Sequence, residues 1–253
     1  MTVESEGKKK VVAIVQSCYI PWKGYFDLIG SVDEFIIYDD MQYTRRDWRN
    51  RNLIKTPQGL SWLTLPVKVK GKYHQLIRET ELEGDKWRTD HWKALQQNYR
   101  RAPFFDEIAH TLEPLYLERS YENLSDLNRA MMEALCLLLG ISTPMKWSWE
   151  YDLVEGKTER LVGLSKQAGA TVYVSGPAAK DYIQPELFAD AGIALRFFDY
   201  SGYPEYPQQW GAFEHGVTAL DLLFNCGKDA RNYMKYPAIS QNASFWKETT
   251  AHE

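Results

Sequence analysis

The feature that most restricts the fold of this chain is a β-α-β layout between residues 11 and 40. Val11 to Val15 is an uninterrupted apolar run and reads as a buried strand. Gln16 to Gly24 is polar and punctuated by Pro21 and Gly24, so it reads as a turn. Tyr25 to Val32 has the spacing of a short amphipathic helix, and the apolar run Glu34 to Tyr38 ends on Asp39 and Asp40. Four arginines follow within seven positions, Arg45, Arg46, Arg49 and Arg51, with Lys55 close behind. In open α/β sheets, ligands bind beyond the carboxyl ends of the strands. Acids and dense cations just past such an end therefore predict one wall of a polar, anion-accepting pocket.

The remaining segments extend that alternation. TPQG reads as a turn, and Leu60 to Val69 alternates as the strand of a hairpin does. A helical block opens at Asp85 and stops near Pro103; a second runs from Phe104 to Ser120, with Pro114 bending or breaking it. A third spans Asn123 to Gly140, with Ser125 as its N-cap and Gly140 as its stop. After that come an extended segment at 144–149, a helix at 158–170, a strand into Gly176-Pro177, a helix ending at Gly192, a strand at 193–200 and an apolar helix at 216–227. The pattern predicts an α/β fold: a Rossmann-like, mostly parallel sheet with right-handed crossovers, a β-hairpin and an inserted three-helix cap. The expectation is one domain over 1–253, with its core at 11–84 and 141–237 and the helical insertion at 85–140. Residues 1–10 and 240–253 read as frayed ends.

Composition narrows the functional classes. With 44% hydrophobic residues among 253, the chain can bury a sizeable core. A net charge of -4 argues against general nucleic-acid binding and makes the arginines a local feature. The 9 Trp and 16 Tyr serve core packing and leave a surplus suited to stacking on a sugar or a base. No apolar run approaches the ~20 residues that cross a bilayer. MTVESEGKKK has no apolar signal region, so a cytoplasmic location is expected. Three cysteines without a CxxC pair predict neither disulfides nor structural zinc. His74, His91 and His110 have no metal-ligand spacing, and no metal site is predicted.

One family signal runs through the chain. Gln16, Tyr19, Pro21, Trp22, Gly24, Tyr25 and Phe26 form a Q-x-x-Y-x-P-W-x-G-Y-F pattern. It is followed by YDDMQYTRRDWRNRNLIKTPQG, NLSDLN, TERLVGLSKQAGATVYVSG and YPQQWGAFEHGVTALDLLFNCG. Together these resemble the WbqC-like family of proteins from bacterial O-antigen and surface-polysaccharide gene clusters, over about residues 11–237. The resemblance implies a transferase that acylates or aminoacylates the amine of a nucleotide-linked deoxyamino sugar. It implies a nucleotide-sugar substrate and an acyl donor, whether a thioester, an aminoacyl-tRNA or an ATP-activated acid. The chain departs from the pattern at its first turn, where Val15-Gln16-Ser17 stands in place of His-Gln-Pro. No histidine role carries over there. Two other readings stay open: a nucleotidyltransferase-like adenylating enzyme, and a non-catalytic sugar-nucleotide-binding protein of the same pathway.

The candidate residues each have two readings. Asp39 and Asp40 suit a magnesium ligand or a general base, or else a strand-ending turn. Arg45, Arg46, Arg49, Arg51 and Lys55, interleaved with Asn50 and Asn52, suit a diphosphate or carboxylate clamp, or else a solvated loop. In an extended chain Arg49 and Arg51 would point together, away from Asn50 and Asn52. Gln16, Tyr19 and Trp22 suit contact with a ligand, or else Tyr19 and Trp22 plug the helical cap. Cys18 suits an acyl-carrying nucleophile or a buried structural thiol. His215 suits a general base or a capping residue. The amides of Ser175-Gly176 suit a phosphate cradle or a plain turn. Asp221, amid apolar neighbours, calls for a buried partner such as an arginine, with Asn225 on its face.

Overall fold

The computed structural model describes residues 9–241; residues 1–8 and 242–253, most of what reads as frayed ends, lie outside the described residues. Its strands are β1 (Val11–Val15), β2 (Glu34–Ile37), the hairpin β3 (Arg51–Thr56) and β4 (Gly59–Thr64), then β5 (Met145–Trp147), β6 (Val172–Ser175) and β7 (Ala194–Phe197). Its helices are α1 (Lys23–Gly30), α2 (Lys86–Tyr99), α3 (Phe105–Leu117), α4 (Leu124–Leu139), α5 (Lys157–Gln167), α6 (Pro185–Asp190), α7 (Ala219–Cys226) and α8 (Tyr236–Gln241). Five strands form a parallel sheet in the order β5-β2-β1-β6-β7, and β3-β4 pair antiparallel apart from it. The fold is thus α/β with a parallel sheet, a separate hairpin and several helices.

The apolar runs become strands because both faces of the sheet are covered. Val11, Ala13, Phe35, Ile37 and Val174 pack toward Phe26 and Ile29 of α1, Leu135 of α4 and Leu220 of α7. The alternate residues Val12, Ile14, Ile36 and Tyr173 pack toward Leu161 and Leu164 of α5 and Phe188 of α6. Starting from the middle strand, the chain winds first to β2 and β5, then returns to β6 and β7. The direction reverses between β1 and β6, so their carboxyl ends flank a topological switch point, where such sheets hold ligands.

Local chemistry accounts for the element ends. Asn123, not Ser125, caps α4: its side chain accepts from Asp126 N at 2.9 Å. Gly140, at φ 72°, closes the same helix. Pro114 lies inside α3, which continues to Leu117. The hairpin strand stops at Thr64, short of the expected Val69: Leu65 N adds one last in-register bond to Asn50 O, and Pro66 has no amide to continue the ladder.

Candidate active site at the switch point

A cleft of about 420 Å³ opens beside the end of β1. Val15, Cys18, Pro21, Trp22 and Tyr25 line it from the first turn and α1; Trp48, Arg49 and Asn52 from the cation segment; His215 and Gly216 from the loop before α7. Three distant stretches of sequence therefore meet at one hollow at the carboxyl end of β1, the β1 side of the switch point; no residue of β6 or of the turn after it lines it.

The first turn and the cation segment are bound tightly together. Tyr19 N donates to Trp48 O at 3.0 Å. Arg49 Nη1 donates to the carbonyls of Gln16 (3.1 Å) and Ser17 (3.0 Å) and lies 3.1 Å from Cys18 Sγ. Asn52 Nδ2 donates to Tyr19 O and Ile20 O at 3.1 and 2.9 Å. Ile20 has a φ of 38°, a left-handed conformation costly for a β-branched residue, so the amide of Asn52 holds a strained turn in place. Gly24 is required here for a different reason. A Cβ on it would lie 2.4 Å from Trp22 Cζ2, so only a bare α-carbon lets the indole lie across the start of α1.

The loop from Tyr203 to Gly216 carries His215 to the cleft, and two buried lysines anchor it. Lys23 Nζ donates to Pro204 O at 3.1 Å and sits 5.0 and 4.9 Å from the ring centroids of Tyr203 and Tyr206. Burial pulls its ammonium down to about 8. Lys55 Nζ donates to Gln208 Oε1 (2.8 Å) and Ala212 O (2.6 Å). Gln208 Nε2 continues to Glu214 O and to Asp221 Oδ1, which also accepts from Tyr206 OH at 2.8 Å. Tyr99 OH donates to Asp221 Oδ2 at 2.9 Å, and Asn225 Nδ2 to its carbonyl. The buried partners of Asp221 are thus tyrosines, Gln208 and Asn225 rather than an arginine. The ring of Phe213 meets that of His215 edge-on at 4.6 Å.

The cleft joins residues that the family pattern and the cation run named separately. The model of the WbqC-like protein family matches residues 16–233. The chain is also 59% identical over 227 residues to a Mycobacterium tuberculosis protein described as uncharacterized, covering 90% of this chain and 98% of that one. This chain belongs to the WbqC-like family. Its relative's description assigns no activity, and no solved structure matches the chain.

In this WbqC-like chain several candidate residues lie away from the cleft. Tyr19 is fully buried, with its hydroxyl 2.8 Å from His91 Nδ1 and 2.9 Å from Tyr116 OH, which ties the first turn to α2 and α3. Asp39 is also fully buried and accepts from Ser17 N (2.8 Å), Ser17 Oγ (2.7 Å) and Ser125 Oγ (2.6 Å). Burial pushes its carboxyl above the ordinary aspartate range. Asp40 accepts from Ser148 Oγ at 2.5 Å and pairs with Arg78 at 3.0 Å. Asp39 and Asp40 thus hold structural donors rather than facing the cleft, and no cluster of three His, Cys, Asp or Glu stands together among the described residues.

The cations divide. Only Arg49 lines the cleft. Arg51 lies over the ring of Trp62 at 4.0 Å, Arg45 over that of Tyr73 at 5.9 Å, and Arg46 is exposed at a φ of 58°. Asn50 donates to Leu65 O and, like Asn52, is buried. Gln16 contributes its carbonyl, which also accepts from Tyr25 OH at 2.8 Å. Neither Ser175 nor Gly176 lines the cleft: Ser175 is buried at the end of β6, where its Oγ accepts from Tyr173 OH at 3.3 Å. Burial pushes the Cys18 thiol up to about 11 despite Arg49, so near neutrality it is a thiol, the weak form of a nucleophile. Val15, Pro21, Tyr25, Trp48 and Gly216 line the cleft without being among the candidate residues. Trp48 had a signal, an aromatic inside the cation run; Val15 reads as plain strand.

Proposed function

We propose that this chain is a transferase that acylates or aminoacylates the amine of a nucleotide-linked deoxyamino sugar, with His215 as the general base. One observation carries the reading: an exposed imidazole shares a cleft at the switch point with a guanidinium and an indole from two other segments. The amine nitrogen attacks the carbonyl carbon of an activated acyl donor, such as a thioester. A C–N bond forms, the C–S bond breaks, and His215 takes the amine proton and returns it to the departing thiolate. Arg49, with Nη1 on the turn carbonyls and Nε paired with Asp47 Oδ2 at 3.6 Å, offers Nη2 to the developing oxyanion. Arg51, two rings from the cleft through Trp62 and Trp48, is the cation that meets the diphosphate outside the mouth.

The test is the purified chain with a panel of amino-sugar nucleotides and acyl donors, read as mass gain. The reading expects N-acylated product, and a loss of roughly 10²-fold or more in turnover for His215→Gln. No mass gain with any donor, together with no binding of the sugar nucleotides, overturns it.

A further inference from the structure

We infer that the cleft holds the alkyl part of an apolar acyl group, with its carbonyl end at Arg49 and His215 and the sugar outside. This rests on the transferase reading and names the acyl class. Five of the ten lining residues, Val15, Pro21, Trp22, Tyr25 and Trp48, present apolar or aromatic surface, and Cys18 adds a protonated thiol. The hydroxyl of Tyr25 is bound to Gln16 O, and the amide of Asn52 to Tyr19 O and Ile20 O. What remains for a ligand is Nη2 of Arg49, the imidazole and the single N–H of each indole, too few polar groups for a polyhydroxylated ring. A sugar ring seated there would bury several hydroxyls without partners, each at a cost. An acyl chain has one polar end, and the cleft supplies one polar end to match.

The surface beyond the mouth extends the same chemistry. Trp48, a cleft wall, is 45% exposed and packs against Trp62, itself 42% exposed, at a centroid distance of 5.5 Å. Leu60, 46% exposed, belongs to the same strand two residues earlier and points to the same side. A ledge of Trp48, Trp62 and Leu60 thus leaves the cleft along the outer face of the hairpin, flanked by the Arg51 guanidinium 4.0 Å over the Trp62 ring. A compact polar acyl group such as glycyl or acetyl makes no use of it; a chain longer than the cleft does.

The experiment is calorimetry on the full chain with acetate, glycine, hexanoate and decanoate. Affinity should rise along the alkyl series by roughly fourfold per buried methylene, the conversion of about 0.8 kcal/mol. Val15→Phe, which fills the cleft, should abolish decanoate binding. Trp48→Ala, at an exposed position that leaves the fold intact, should weaken decanoate about tenfold more than hexanoate. Acetate or glycine binding as tightly as decanoate overturns the inference, and so does decanoate binding unchanged in both variants. Glycyl or acetyl transfer without any alkyl preference overturns the inference alone; alkyl binding with neither mass gain nor sugar-nucleotide binding leaves the alkyl site standing and removes the transferase.

Discussion

Replacing Asp39 with alanine separates a structural carboxylate from a catalytic one. The change removes the acceptor of three buried hydrogen bonds, from Ser17 N, Ser17 Oγ and Ser125 Oγ. A bond to a charged acceptor contributes roughly 1.5–3 kcal/mol net. The two hydroxyls can rotate toward other acceptors, whereas the amide of Ser17 cannot. The sum therefore shrinks to about 3–5 kcal/mol, since the buried Ser17 amide is left unpaired and a cavity opens where the carboxylate stood. For a chain of this size each kcal/mol moves Tm by about 2–4 °C, so melting should fall by roughly 6–20 °C. Thermal unfolding followed by far-UV circular dichroism at neutral pH measures it. Asp39→Asn keeps the shape and one acceptor and should lose less. A variant melting within about 2 °C of the parent, yet unable to bind a sugar nucleotide, would refute the reasoning and make Asp39 a ligand-binding group.

Further outcomes follow from the same geometry. Lys55→Met removes the donor to Gln208 and Ala212, so amide exchange should quicken across residues 208–215 while the sheet stays protected. Gly24→Ala drives a Cβ against the Trp22 indole; tryptophan fluorescence should shift and cleft ligands should bind several-fold more weakly, and an unchanged spectrum would contradict the contact. Asp27, buried and bound by the amides of Lys235 and Tyr236, has its carboxyl pushed up to about 6 by burial. A raised acid stabilises the fold below its unfolded value near 3.8 and loses that contribution as pH rises through 6, by about 3 kcal/mol. Asp27→Asn should therefore flatten the decline in denaturant-derived stability between pH 4 and 6; parallel curves would count against it. His91, held down at about 4 by burial, has the opposite sign: its contribution is lost as pH falls from 6.5 through 4, and His91→Phe should remove that loss.

Much of the fold could be read from the chain because strand and helix patterns are local. Apolar runs at 11–15 and 34–38, the TPQG turn and Gly140 each state their structure within a few residues. Side-chain destinations in the irregular turn are a different matter. Tyr19 and Trp22 are three residues apart, yet one is sealed against His91 and Tyr116 while the other walls the cleft. Ser125 reads as a cap but binds Asp39, 86 positions away. Lys55 reads as one more cation of a clamp, yet a loop more than 150 residues later takes up its ammonium. Ile20 gives no hint of positive φ, because isoleucine is among the residues least suited to it.

Periodicity alone determined the α/β alternation, the hairpin and the strand end beside which a ligand would sit, since each depends on neighbours along the backbone. Tertiary structure alone decided which of the many polar and aromatic groups face the hollow. It set Arg49 apart from Arg45, Arg46 and Arg51, and brought His215 to Trp22 from nearly two hundred residues away. That choice depends on buried partners contributed by remote segments, and hydrogen-bond satisfaction between them leaves no repeat in the sequence to be read.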